Sequence, residues 1–208
     1  MNLLSESNKI KLIQKNGTNR FAKTILIVGV FHGEEPQGKY IIDRYVKDNN
    51  KKSRNHLHFI PCFNPWGYQR GIRGNIHGVD LNRNYPTKNW KLTEQGEFYS
   101  GESPASEMET RFMIEVLERT NPNIILTLHA PLNCVNFDGP ARDIANKISK
   151  ITQYPVQEDI GYPTPGSFGT YCGIERNIPT ITLEFDGEEP EERLYEKTKP
   201  AIDYLANL

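Results

Sequence analysis

Three short, almost wholly apolar, β-branched runs each deliver a chelating or acidic side chain at their C-terminal end. Thr24 to Val30 (TILIVGV) leads into His32, Asn123 to His129 (NIILTLH) ends in a histidine, and Pro179 to Phe185 (PTITLEF) carries Glu184. Continuous apolar runs of this length belong to strands covered on both faces. His56 to Cys62 (HLHFIPC) is a fourth candidate. The segments between them read as helices: one after Pro36 through Tyr40, Ile41, Tyr45 and Val46, and one opening at Ser103 with proline at its first position. In the latter Met108, Phe112, Val116 and Leu117 share a face. Further helices are predicted over 141–151, 169–177 and 189–208. Strands interleaved with helices indicate an α/β fold, a three-layer α/β/α arrangement around a central mixed sheet, with functional groups gathered at strand C-termini.

Length and composition narrow the classes. At 208 residues the chain suits a single domain spanning 1–208. Lys+Arg 25 against Asp+Glu 26 leaves a net charge of -1, so no overall field favours a nucleic acid or an anionic membrane. No run is long and apolar enough to span a bilayer, and the N-terminal stretch lacks the apolar centre of a secretory leader. Cys62, Cys134 and Cys172 are odd in number and widely spaced, which argues against a disulfide framework. A cytoplasmic protein is the expectation; the oligomeric state is not legible.

The chemistry-bearing residues concentrate at strand ends and in one long loop. His32, Gly33, Glu34 and Glu35 place an imidazole and a carboxylate three residues apart in a turn, which suits two ligands on one metal ion. His129 is the natural third ligand, and two histidines with a carboxylate are an established catalytic zinc set that leaves a position for water. Glu34 is the alternative carboxylate; Glu35 is preferred. His56, His58 and His77 lack an equivalent partner. Asn64 to Tyr85 is too long a connection for a small domain unless it carries function, and it holds Trp66, Tyr68, Arg70, Arg73, Asp80, Asn82 and Arg83. Glu184 sits in an apolar strand, where a carboxylate costs solvation energy unless its chemistry is needed.

Within that loop GVDLNRNYP (78–86), taken with HGEE and the later His129 and Glu184, resembles the zinc carboxypeptidase family. The resemblance covers roughly Thr24 to Asp186, in four ordered motifs. It implies one Zn2+ held by His32, Glu35 and His129, and a small peptide substrate with a free carboxylate gripped by Asn82 and Arg83, an amide and a planar guanidinium suited to that group. By the same resemblance Glu184 is the general base, Arg70 stabilises the oxyanion with Arg73 as the fallback, and Tyr162 is the mobile tyrosine over the substrate. Phe168 is a candidate specificity residue. The chain is much shorter than digestive members of the family. It is most similar to the compact bacterial murein tripeptide amidase branch, especially through YPTPGSFGTYCGIERNIPTITLE (162–184). That branch implies release of meso-diaminopimelate from L-Ala-γ-D-Glu-meso-diaminopimelate in peptidoglycan recycling. Three other readings stand beside it: an aspartoacylase-like or succinylglutamate desuccinylase-like deacylase of N-acyl amino acids, a non-haem iron oxygenase built on the same two-histidine, one-carboxylate set, and an idle peptide-binding protein.

Overall fold

The structure, a computed structural model, describes residues 10–49 and 52–208. Residues 1–9, part of the stretch read for a leader, lie outside it. Six strands form one sheet in the order β1-β3-β2-β4-β6-β5. The inner four, β3 (His56–Ile60), β2 (Thr24–Gly29), β4 (Ile124–His129) and β6 (Thr180–Glu184), run parallel. The two edges, β1 (Ile13–Lys15) and β5 (Cys134–Asp138), pair antiparallel, so the sheet is mixed as expected.

Alternation along each strand splits the apolar side chains between two cores. Ile25 and Ile27 of β2, Leu126 and Leu128 of β4 and Leu183 of β6 face α1 (Gln37–Asp48), α4 (Arg142–Thr152) and α5 (Glu191–Asn207). Leu26, Val28 and Ile125 face the other way, onto Phe112, Met113, Val116 and Leu117 of α3 (Met108–Thr120) and onto Phe63, Tyr85 and Phe168 from loops. These are the three layers read from the strand pattern. A one-turn helix, α2 (Pro65–Tyr68), begins the long loop, with the Asn64 side chain accepting from the Gly67 N–H.

Several boundaries differ from the sequence reading. The helix expected to open at Ser103 begins at Met108, because Ala105 adopts φ 54 and its N–H bonds to Asn84 rather than into a helix. The helix expected over 169–177 is a single π-turn, Thr170–Ile174. Neither edge strand was anticipated. The three cysteines are buried and unpaired. Among the described residues no helix is long and apolar enough to cross a membrane.

Candidate active site

The C-terminal ends of β2, β4 and β6 converge on a cleft of about 410 Å³, lined by His32, Glu34, Glu35, Arg73, Asn82, Arg83, Phe98, His129, Tyr162 and Glu184 among others. Beyond Gly29 the chain turns sharply. Val30 adopts φ 56, a conformation that a β-branched residue holds only at a cost of about 1–3 kcal/mol. The Phe63 and Asn64 N–H groups bond to Gly29 and Val30 and hold that turn. As a result Phe31 enters the core and His32 enters the cleft. Gly33 follows because a Cβ there would lie 2.0 Å from the Gly67 carbonyl carbon.

His32 Nδ1 lies 2.7 Å from Glu35 Oε1, and His129 Nδ1 lies 2.9 Å from Glu35 Oε2. One ligand atom from each of the three falls within 4.8 Å of the others, and all three residues are buried. This is the group of ligating side chains among the described residues that could hold a metal ion. Two imidazoles and a carboxylate are a donor set that zinc accepts. Glu34 points elsewhere: it is exposed and lies 3.7 Å from Arg73 Nη1.

Charge in the site is strongly coupled. Burial alone would lower the His32 pKa, but the carboxylates of Glu35 and Asp80 overcome it and hold the ring up to about 9. Burial pushes Glu35 the other way, upward, and the two imidazoles bring it well below the ordinary carboxylate range. Asp80, one of the residues that marked the long loop as functional, had no role assigned to it from sequence. Fully buried, it receives His32 Nε2 at 3.1 Å, Arg73 through Nε and Nη2 at 3.0 and 2.8 Å, and the Asn82 N–H at 2.8 Å. A histidine that ligates through one nitrogen needs an acceptor on the other. That requirement, applied to the only carboxylate in GVDLNRNYP, was the available signal.

The two candidate oxyanion arginines separate cleanly. Arg73 lines the cleft. Arg70 does not: its guanidinium stacks 4.1 Å over the Trp66 ring and bonds to the Trp66 carbonyl, as the turn of α2 folds it back on the surface. The preference for Arg70 is therefore corrected. Asn82 accepts the Phe168 N–H on Oδ1 at 2.8 Å, which leaves its NH2 end without a hydrogen bond among the described residues. Arg83, 4% exposed, bonds to the Asn82 carbonyl and stands beside it in the cleft. Phe168 is also corrected as a specificity residue, because its ring is 1% exposed and packs on Phe31 and Tyr85 in the core. Tyr162 is exposed at the mouth, with its ring 6.4 Å from Phe98. Phe98, which no motif marked, also lies 5.0 Å from the Arg73 and 5.5 Å from the Arg83 guanidinium. His77, read as partnerless, bonds to Glu107 at 2.7 Å, outside the cleft.

Glu184 pairs in register with His129 across neighbouring strands. It is 8% exposed, and its Oε2 has no hydrogen-bond partner among the described residues. Burial raises its pKa, and the nearby charge of Glu35 adds to the rise against the pull of His129.

The family model described as zinc carboxypeptidase matches residues 5–140. The chain belongs to the zinc carboxypeptidase family. It is accordingly an enzyme of the metallopeptidase class. Murein peptide amidase A of Escherichia coli (strain K12) is 33% identical over 172 residues, which cover 77% of this chain and 70% of that protein. Murein peptide amidase A of Vibrio campbellii is 38% identical over 140 residues, covering 60% and 54%. Among solved structures, murein-tripeptide amidase MpaA from Escherichia coli O157 superposes with a TM-score of 0.82 at 28% identity, over 94% of this chain and 86% of that one. Thrombin activatable fibrinolysis inhibitor, at 18% identity and a TM-score of 0.80, shares the fold over 95% of this chain and 65% of its own.

Proposed function

We propose that this chain is a zinc-dependent amidase that releases the carboxy-terminal diamino acid of a murein peptide, with residues 1–208 forming one catalytic domain. The observation that carries the reading is the buried, half-satisfied carboxylate of Glu184 beside a three-donor metal set, opposite a free amide and a guanidinium. A binding protein has no use for the first of these features. The match to the zinc carboxypeptidase family argues against an iron oxygenase.

His32, Glu35 and His129 would hold the ion, and Asp80 fixes the orientation of His32. Zinc in such a set lowers the pKa of a bound water and polarises a carbonyl. Glu184 takes the proton of the attacking water through Oε2, and returns it to the departing amine. Arg73 replaces Arg70 in the proposed oxyanion role, because of the two only Arg73 lines the cleft. The Asn82 NH2 group and Arg83 grip the terminal carboxylate, so recognition of a free end aligns the bond to be cut. Tyr162, at the mouth, closes over the bound peptide.

The substrate class is supported by the relatives named murein peptide amidase, and a role in peptidoglycan recycling is proposed with it. A reducing, cytoplasmic setting agrees with three buried free thiols. The test is mass spectrometry of L-Ala-γ-D-Glu-meso-diaminopimelate incubated with zinc-loaded protein, beside N-acyl amino acids. Free diaminopimelate and L-Ala-D-Glu are expected. Hydrolysis of the N-acyl amino acids alone would replace this reading with the deacylase one.

A further inference from the structure

We propose that Phe98 is a positioning residue of the cleft, whose ring keeps Arg73 and Arg83 at the two separate places their tasks require. The inference rests on the amidase reading and names a residue that serves the same site through two others.

The ring is delivered by a closed loop. Thr93 and Ser100 meet at its base, where the Thr93 N–H donates to Ser100 Oγ at 3.1 Å and the Ser100 N–H donates to Thr93 Oγ1 at 2.9 Å. Thr93 Oγ1 in turn donates to the Phe98 carbonyl at 2.9 Å, and the Tyr99 N–H bonds to the Gly96 carbonyl. This base is fastened to the segment that carries the proposed carboxylate grip. The Asp80 N–H donates to the Tyr99 carbonyl at 2.8 Å, and Asn84 Nδ2 donates to the Ser100 carbonyl at 2.8 Å. Asp80 and Asn84 bracket Asn82 and Arg83 in the chain, and both are fully buried. A ring that is itself 45% exposed is thus held in place by the backbone beneath it.

What the ring does there follows from charge. Arg73 Nη2 lies 2.8 Å and Arg83 Nη1 3.9 Å from the same oxygen, Asp80 Oδ2. Two guanidiniums drawn to one carboxylate repel each other and compete for it. Phe98 lies 5.0 Å from the first and 5.5 Å from the second, within cation–π range of both. An aromatic ring attracts a cation through its electron-rich face and takes up none of its strong hydrogen bonds. A second carboxylate at this place would also hold the arginines, but it would occupy the N–H groups that an oxyanion and a terminal carboxylate need.

Phe98 also closes the site sideways. Phe98, Tyr162 and Arg83 line both the cleft and an apolar hollow of about 500 Å³ beside it, which Pro163 and Pro165 wall on the other side. Without the ring the two spaces would join, and water reaching the guanidiniums would weaken the charged contacts made there.

The experiment compares the wild type with Phe98→Tyr, which keeps the ring, and Phe98→Leu, which keeps apolar bulk without it. Phe98→Met takes the place of the leucine variant should urea unfolding show that one to be misfolded. Each protein, loaded with zinc, is assayed with L-Ala-γ-D-Glu-meso-diaminopimelate and with N-acetyl-L-aspartate, both of which end in a free carboxylate, and binding of both is measured by calorimetry. The tyrosine variant is expected to stay within about twofold of the wild type. The leucine variant is expected to lose about fivefold to thirtyfold in kcat/KM, with KM raised through Arg83 and kcat lowered through Arg73. A side chain that only filled space would be replaced by leucine as well as by tyrosine. A leucine variant equal to the wild type, or a tyrosine variant as impaired as the leucine one, overturns the assignment. Cleavage of N-acetyl-L-aspartate alone, with the variants ranked as expected, refutes the amidase reading and keeps the role of Phe98. Cleavage of the tripeptide with no ranking does the reverse. A wild type that neither binds nor cleaves either compound overturns both.

Discussion

Glu184 and Arg73 can each be tested by a single substitution, with an unfolding measurement beside Arg73→Ala because that guanidinium also pairs with the buried Asp80. Glu184→Gln keeps the volume and one hydrogen-bonding oxygen but cannot accept the proton, so metal content should stay at that of the wild type while kcat falls by about a thousandfold or more. Metal analysis beside turnover decides it, and a fully active variant removes Glu184 from the mechanism. Arg73→Ala should cost about a hundredfold to a thousandfold in kcat. Arg70→Ala should stay within a few-fold, because that guanidinium is occupied with Trp66 on the surface. The reverse ranking would restore Arg70. Sequence could not separate the two: they are three residues apart in one loop, and what distinguishes them is the turn of α2 and the buried Asp80 that draws Arg73 inward. His32, Glu35 and His129 were legible because strand ends and a tight turn leave few directions for a side chain. Phe168 misled, since an aromatic next to a substrate loop looks the same in sequence whether it faces substrate or core.

The long loop between β3 and α3 holds its shape through buried polar groups rather than regular structure. Asn84 is fully buried; its NH2 group donates to the Ser100 and Ser103 carbonyls and the Ser106 hydroxyl, and its oxygen accepts the Glu107 N–H. Asn75 similarly bridges Glu107 and Glu109. Asn84→Ala strands several of these partners and should destabilise the protein by about 2–4 kcal/mol. It should also raise KM, because Asn82 and Arg83 precede it directly in the chain. Urea unfolding and steady-state kinetics test this together, and a neutral effect on both would show that the loop is held elsewhere. Such side-chain scaffolding has no periodicity, which is why the loop read only as long. The same network moved the start of α3 to Met108, as Asn84 holds the Ser103 carbonyl, the Ala105 N–H and the Ser106 hydroxyl outside a helix. The edge strands escaped notice for a different reason. β1 has three residues and β5 alternates buried and polar positions weakly, so neither carries the apolar run that marked the inner strands.

Across the whole molecule, a net charge of -1 offers little long-range attraction for a charged peptide, so recognition falls to groups the fold holds unpaired at one end of the sheet. Burial without a partner opposes stability, and at Asp138 the cost is measurable. Its carboxyl is raised from the ordinary 3.8 to about 6, so between those values the folded protein binds a proton that the unfolded chain does not. The stability this group supplies is complete below about 4 and is lost as pH rises through 6. At pH 7.5 the ionised, partnerless carboxylate is a net cost. Asp138→Asn, which cannot ionise, should therefore be more stable than the wild type at pH 7.5, by on the order of 2 kcal/mol, with the difference shrinking toward pH 4. Urea midpoints measured at both pH values check the sign as well as the size. A variant less stable than the wild type at pH 7.5 would mean that the carboxylate already has a partner in the folded protein.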